Sequence, residues 1–235
     1  DYVIFISKSI QEKYTKQYYL KKYTMFFNGF IIENYLIPDH RIMQKETVKI
    51  IQVGTLSEGK GTRKSLEAIK ELKDKGIKNF CVEFVGNGTP EYIVALYKYI
   101  QENNLESLVQ LSGYGKQIKD KMVESDILLM NSRSEGFGRV TVEGMLGGLL
   151  VIGRNSAGTA EIIQNGRTGL LFITDDELTQ LLLQVLNDQK RYCGIACQGQ
   201  TWAVNTFGCK NVAKKFMDFV GIQENGTNEK GNTDN

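Results

Sequence analysis

The chain has 235 residues, 41% hydrophobic and 24% charged, which allows one large α/β core plus a short extra lobe, and its net charge of +2 is too small to argue for a nucleic-acid partner. No run approaches the roughly 18 consecutive apolar residues of a membrane span, and Asp1-Tyr2-Val3-Ile4-Phe5-Ile6-Ser7-Lys8 has neither the basic lead-in nor the cleavage site of a secretory signal. Four scattered cysteines make no disulfide framework, so free thiols and a cytoplasmic location are expected.

Residues 1–27 read as a strand (Tyr2 to Ile6), a helix (Ser9 to Leu20) and a second strand (Tyr23 to Phe27), too little to bury a core alone. An apolar strand with no sheet before it is expected to be a remnant of something larger. Residues 13–23 interleave Lys with Tyr, a mixture that could touch anionic lipid or RNA; the reading taken is a solvated helix face whose rings rest on a neighbour. Asn28-Gly29 and Pro38-Asp39 mark 28–46 as a turn-rich linker.

From residue 47, short β-branched apolar runs alternate with amphipathic stretches of helical length, the pattern of a parallel sheet wrapped by helices. Strands are expected at 47–53, 80–85, 107–111, 126–130 and 149–153, with crossover helices at 64–75, 91–102, 116–123 and 139–147. Helices follow at 175–187, 190–203 and 209–220. Boundaries are set at 47–207 for the regular domain, 208–221 for a terminal helix and 222–235 for a tail expected to be disordered. Cys193 and Cys197 could share a helix face, but no CxxC pair or nearby His completes a metal site, so none is expected.

Ligands of open parallel sheets bind beyond the carboxyl ends of the strands. Here those ends run into glycine: Val53-Gly54, Val85-Gly86 with Gly88, Ser112-Gly113 with Gly115, and Ile152-Gly153. Any one such glycine can serve only a tight turn; together on one rim they clear a crevice for a base, a ribose and phosphates. The richest loop is Ser134-Glu135-Gly136-Phe137-Gly138-Arg139, leading into Glu143. A helix starting near Gly138 would aim its free N–H groups at a diphosphate. Glu143, about one turn in, could accept hydrogen bonds from a ribose diol, and Glu135 from sugar hydroxyls. Lys60, in Gly59-Lys60-Gly61, would neutralise a leaving phosphate.

These residues resemble the retaining glycosyltransferases of the GT-B fold, in particular glycosyltransferase family 4. The resemblance runs from about Asn28 to Val220 and rests on Asn28-Gly29-Phe30, Val53-Gly54 with Lys60-Gly61, Phe84-Val85-Gly86-Asn87-Gly88, Ser132 to Gly138, Glu143-Gly144-Met145, and Glu161-Ile162-Ile163 with Asn165-Gly166 and Thr168-Gly169. The Glu135/Glu143 spacing is its most specific element. It implies a Rossmann-like parallel sheet with helices on both faces, the C-terminal half of a GT-B fold, with residues 1–27 the remnant of an N-terminal acceptor domain. It further implies that Glu143 holds the ribose and Glu135 meets the donor sugar, and that the loop amides and Lys60 take the phosphates. Gly113, Tyr114 and the loop after Met130 line the base pocket. No cofactor or metal is implied; the partners are a nucleotide sugar, the missing acceptor domain and a glycan or lipid-linked acceptor, with peripheral membrane contact at the inner face.

Two departures from the family pattern stand out. Thr55 replaces the arginine that usually follows the first strand's glycine, leaving Arg139 or Arg63 as substitutes. The N-terminal domain is expected to be absent except its last stretch, and with it the acceptor site and the histidine that the family places near the donor sugar. The only histidine, His40 in the linker, is not expected to replace it. A P-loop NTPase is the rival enzyme reading, but Gly61 stands where the magnesium-binding Ser or Thr belongs. No strand is followed by the full glycine fingerprint and acidic partner of a nicotinamide site. A binding module that takes up a nucleotide without turnover is the reading outside enzymes.

Overall fold

The computed structural model describes residues 2–35, 45–115 and 118–221. Pro38, His40, residues 116 and 117 and the expected tail 222–235 lie outside the described residues. Strands β1 (Val3–Phe5) and β2 (Tyr23–Met25) pair in parallel around helix α1 (Lys8–Gln17). Together with a distant helix they form a small lobe.

The main sheet is parallel throughout. Its strands are β3 (Val48–Val53), β4 (Phe80–Val85), β5 (Val109–Ser112), β6 (Ile127–Met130), β7 (Leu150–Arg154) and β8 (Leu170–Phe172), in the order β5-β4-β3-β6-β7-β8. Such strands are buried on both faces, and successive residues show it. Ile50 and Ile127 join a core with helices α2 (Thr62–Asp74), α3 (Pro90–Glu102) and α7 (Asp175–Asn187). Ile51 and Leu128, their next neighbours, join a second core with α4 (Ile118–Val123), α5 (Arg139–Leu146), α6 (Ala157–Ile162) and the last turns of α8 (Gln189–Phe207). Phe80, Phe84 and Phe172 on one side and Phe30 and Phe207 on the other are fully enclosed. Each contributes on the order of 1.5–3 kcal/mol of burial. This is the Rossmann-like α/β fold with helices on both faces.

Helix α9 (Cys209–Val220) returns to the N-terminal lobe, where Phe216 and Phe219 pack on Phe26 at 5.5 and 5.4 Å between ring centroids. The chain near Phe30 is tied to the α8–α9 junction by two backbone hydrogen bonds, Phe30 N–H to the Phe207 carbonyl and Cys209 N–H to the Phe30 carbonyl, both 2.8 Å. The lobe is thereby held beside the sheet at both of its chain crossings.

Among the described residues, three elements exceed the sequence expectation, one of them a single 3₁₀ turn at Ile32–Asn34 within the expected linker. The three-residue strand β8 and the six-residue helix α6 are too short to leave a periodic signal. Gly153 is a correction: it lies inside β7 rather than on the rim. A Cβ there would stand 2.6 Å from the Thr159 methyl, so this glycine serves the close approach of α6.

Candidate functional site

From β3 the chain steps outward through β4 to β5, then crosses back to β6 on the other side of β3. The crevice beyond the carboxyl ends of β3 and β6 is therefore the topological switch point, where open α/β sheets bind ligands. Gly54 follows β3, and the loop 131–138 follows β6. The rim is shaped by backbone: Gly86 has φ +153°, and a Cβ there would lie 1.8 Å from the Gly54 carbonyl oxygen.

Among the described residues, four helices start on a side-chain cap, Ser7, Thr89, Thr174 and Asp188 for α1, α3, α7 and α8, while α2, α6 and α9 have none. Helix α5 has none either. Gly138 precedes it in the left-handed region at φ +86°, and among the described residues no side chain caps its first N–H groups. Those donors, with the positive end of the helix, open toward the crevice and suit an anion.

The crevice has two adjoining chambers that share Val53, Gly54, Thr55 and Val140. One, of about 390 Å³, is lined by Lys60, Glu135, Phe137, Gly138 and Arg139 together with Ile6 and Asn28. The other, of about 440 Å³, is lined by Gly86, Asn87, Tyr114, Ile118 and Glu143. Glu135 and Glu143, eight residues apart, thus stand at the two ends of one cleft with the start of α5 between them. A ligand spanning both chambers would meet a carboxylate at each end and amide donors in the middle.

Each carboxylate has a distinct setting. Glu135 is ion-paired with Lys60 at 2.5 Å, with side chains 14% and 33% exposed. The Lys60 loop is held from below: Gln52 donates to the Lys60 carbonyl at 2.9 Å, Ser65 donates to Gln52, and Asn131 donates to Ser65 while accepting two bonds from Arg154. Among the described residues Glu143 has only long contacts, Tyr35 donating to it at 3.4 Å and Arg139 ion-pairing with it at 3.6 Å. Burial pushes the Glu143 carboxyl above its ordinary value, against the Arg139 charge and the Tyr35 hydrogen bond. Burial, then the nearby Glu143 charge, pushes the Tyr35 phenol up as well.

Of the residues singled out in the sequence, Gly54, Thr55, Lys60, Gly86, Tyr114, Glu135, Phe137, Gly138, Arg139 and Glu143 line this cleft. Phe137 does so with its ring turned into the core against Phe27, Phe30 and Phe207. Gly113, Ser134 and Gly136 lie beside the cleft rather than in its lining: the Ser134 carbonyl accepts from Ser132, and Gly136 faces Ile10 of α1. Arg63, a candidate second phosphate cation, instead stacks 3.6 Å over the Tyr99 ring and pairs with Glu67, which leaves Arg139 as the arginine at the cleft. Asp126, at the opposite end of β6, pairs with Lys45 and accepts from Lys49 N–H at 2.9 Å, so it faces away from the crevice and holds no phosphate-bound cation there. Among the described residues no group of three or more His, Cys, Asp or Glu could hold a metal.

The sequence reading missed Tyr35, Ile6 and Asn87. Asn87 carried a signal, between two rim glycines, and its carboxamide oxygen accepts from Tyr114 N–H at 3.0 Å. Tyr35 carried none, because its partner is 108 residues away.

Residues 37–201 match the family described as glycosyl transferases group 1. Among curated relatives, an uncharacterised 41.2 kDa protein of a Klebsiella pneumoniae cps region is 31% identical over 57% of this chain and 35% of its own length. The phosphatidylinositol N-acetylglucosaminyltransferase gpi3 subunit of Schizosaccharomyces pombe is 27% identical over 80% of this chain and 41% of its own. Among solved structures, Anabaena HepE in complex with UDP and glucose superposes with a TM-score of 0.83 at 22% identity, covering 93% of this chain and 62% of that one. Sucrose-phosphate synthase of Thermosynechococcus elongatus superposes with a TM-score of 0.79 at 20% identity over 94% and 58%. The chain spans less than half the length of these curated relatives.

Proposed function

The chain belongs to the glycosyl transferases group 1 family, and on that premise we propose that residues 47–207 hold the donor of a retaining glycosyltransferase of family 4, a UDP-sugar whose sugar passes to a saccharide or lipid-linked hydroxyl. The observation that carries this reading is the pair of carboxylates, Glu135 and Glu143, at the two ends of one cleft around the uncapped start of α5. Glu143 accepts from the ribose diol, and Glu135 accepts from hydroxyls of the donor sugar. The first N–H groups of α5 meet the diphosphate, with Lys60 and Arg139 as its fixed cations. As the glycosidic bond breaks, negative charge grows on the departing diphosphate, and preoriented amides and cations there lower the barrier without a metal. HepE has been solved with UDP-glucose, which supports a uridine donor.

The acceptor half is placed outside these 235 residues, so the chain alone binds the donor and does not turn it over. Among the described residues no helix is long and apolar enough to cross a membrane; a cytoplasmic enzyme working at the inner membrane face is the setting proposed. A panel of UDP-, GDP- and ADP-sugars read by thermal stabilisation tests the donor, since a ligand that prefers the folded state raises the melting point. UDP-sugars are expected to raise it most. No shift with any member of the panel overturns the donor reading, and transfer by the 235 residues alone overturns the placement of the acceptor half.

A further inference from the structure

Helix α6 lies between the donor cleft and the N-terminal lobe and is bonded to both. At its start, Gly158 N–H donates to the Glu135 carbonyl at 3.1 Å, and a Cβ on Gly158 would stand 2.5 Å from the Phe137 carbonyl oxygen. Ala157 enters the helix at φ +47°, a left-handed conformation in a residue with a side chain. Such strain persists where surrounding contacts impose it, and here those contacts are with the cleft loop: the Ser156 hydroxyl donates to the Ser132 and Arg133 carbonyls. At the far end of α6, the Glu161 carboxylate accepts from the N–H groups of Lys8 and Ser9 at 2.6 and 2.7 Å, while Ser7, itself fully buried, takes the N–H of Ile10.

The first turn of α1 is therefore capped by its own serine and by a carboxylate from 152 residues along the chain. A carboxylate on helix N–H groups makes charge-assisted bonds that are stronger than neutral ones. Phe27, packed on Phe137 and Phe207, fixes where the chain leaves the lobe. It does not fix the rotation of α1, and Glu161 supplies that second point. The rotation matters at the cleft: Ile6, just before α1, lines the chamber of Glu135, and the Ile10 side chain reaches within 3.3 Å of where a Cβ on Gly136 would be.

We propose that Glu161 is a positioning residue, latching α1 onto α6 so that Ile6 and Ile10 wall the donor-sugar end of the cleft. The inference rests on the nucleotide-sugar reading of that cleft. It is tested with Glu161→Gln and Glu161→Asp in the full chain, by amide hydrogen exchange over α1 without ligand and by calorimetry with UDP and UDP-glucose. Glu161→Gln keeps one acceptor oxygen and sets an NH₂ against a backbone N–H. The expected result is faster exchange at Lys8 and Ser9, UDP-glucose affinity down by roughly three- to tenfold, and UDP affinity unchanged. Glu161→Asp, which keeps the charge, is expected to recover part of the loss. Unchanged exchange over α1 overturns the latch. Faster exchange with wild-type UDP-glucose affinity, or an equal loss for UDP, overturns its link to the sugar end. If the wild-type chain binds neither ligand, the donor reading fails, and the exchange measurement alone decides the latch.

Discussion

Glu143→Gln separates folding from binding at one atom pair. The Glu143 side chain is 18% exposed and meets Arg139 and Tyr35 at 3.6 and 3.4 Å, so among the described residues its burial is not matched by short partners. Its carboxyl is raised above the ordinary value in the folded chain. A group raised in the folded state contributes stability below its unfolded pKa and loses it as pH rises through the folded one. At neutral pH the ionised Glu143 is thus a cost to the fold, and the isosteric, neutral glutamine is expected to melt higher without ligand. The advantage should vanish as pH falls to the carboxylate range. Binding goes the other way, because the ionised carboxylate gives two charge-assisted acceptors to a ribose diol. Their loss is worth about 1–3 kcal/mol, or roughly 5- to 150-fold in Kd. With UDP at a hundred times the wild-type Kd, the wild type gains about 2.7 kcal/mol of stability, and a variant binding tenfold more weakly gains about 1.4 kcal/mol. Thermal melts with and without UDP from pH 4 to 8, with calorimetry, read both effects. As pH drops through the raised value, wild-type affinity should fall more steeply than the variant's, both sharing the loss of charge on the terminal phosphate of UDP at about pH 6. A variant that melts lower without ligand and binds UDP as the wild type does refutes the assignment.

Glu135→Gln is expected to weaken an intact UDP-sugar more than UDP; equal losses in calorimetry would move Glu135 away from the sugar. Lys60→Met should lower UDP affinity by about 1–3 kcal/mol and leave uridine, which has no phosphate, bound as before. Equal losses for both would place Lys60 elsewhere than on the phosphates. Ala157→Gly relieves the left-handed alanine and is expected to raise stability by roughly 1 kcal/mol in denaturant unfolding, whereas a lower midpoint would show that residue unstrained. Gly86→Ala drives a methyl into the Gly54 carbonyl. It should destabilise the fold by about 1–3 kcal/mol and weaken UDP, and wild-type values for both would show the rim to be pliable.

What the sequence disclosed follows the reach of its signals. The strands at Val48–Val53 and Phe80–Val85 and the helices α7 and α9 were legible because each carries its own apolar period and, for α7, a Thr174 cap with three acidic residues in the first turn. The start of α5 was legible too, since a glycine-rich loop ending at Gly138 before an apolar period marks it, and the structure starts the helix at Arg139. Three features were not. Tyr35 meets Glu143 across 108 residues, Glu161 meets Ser9 across 152, and Lys60 meets Glu135 across 75, and no local pattern announces such pairs. Glu161 carries no sequence signal of its role, because its partners are backbone N–H groups, which any residue type supplies. Arg63 was misplaced for the related reason that Tyr99, the ring it stacks on, lies on the next helix.

The most direct measurement is a crystal structure of the chain grown with UDP. The expected result is the ribose diol within hydrogen-bonding distance of Glu143 and the diphosphate on the first N–H groups of α5 beside Lys60. UDP bound away from the carboxyl ends of β3 and β6, or ordered there with Glu143 and the α5 amides untouched, would contradict it.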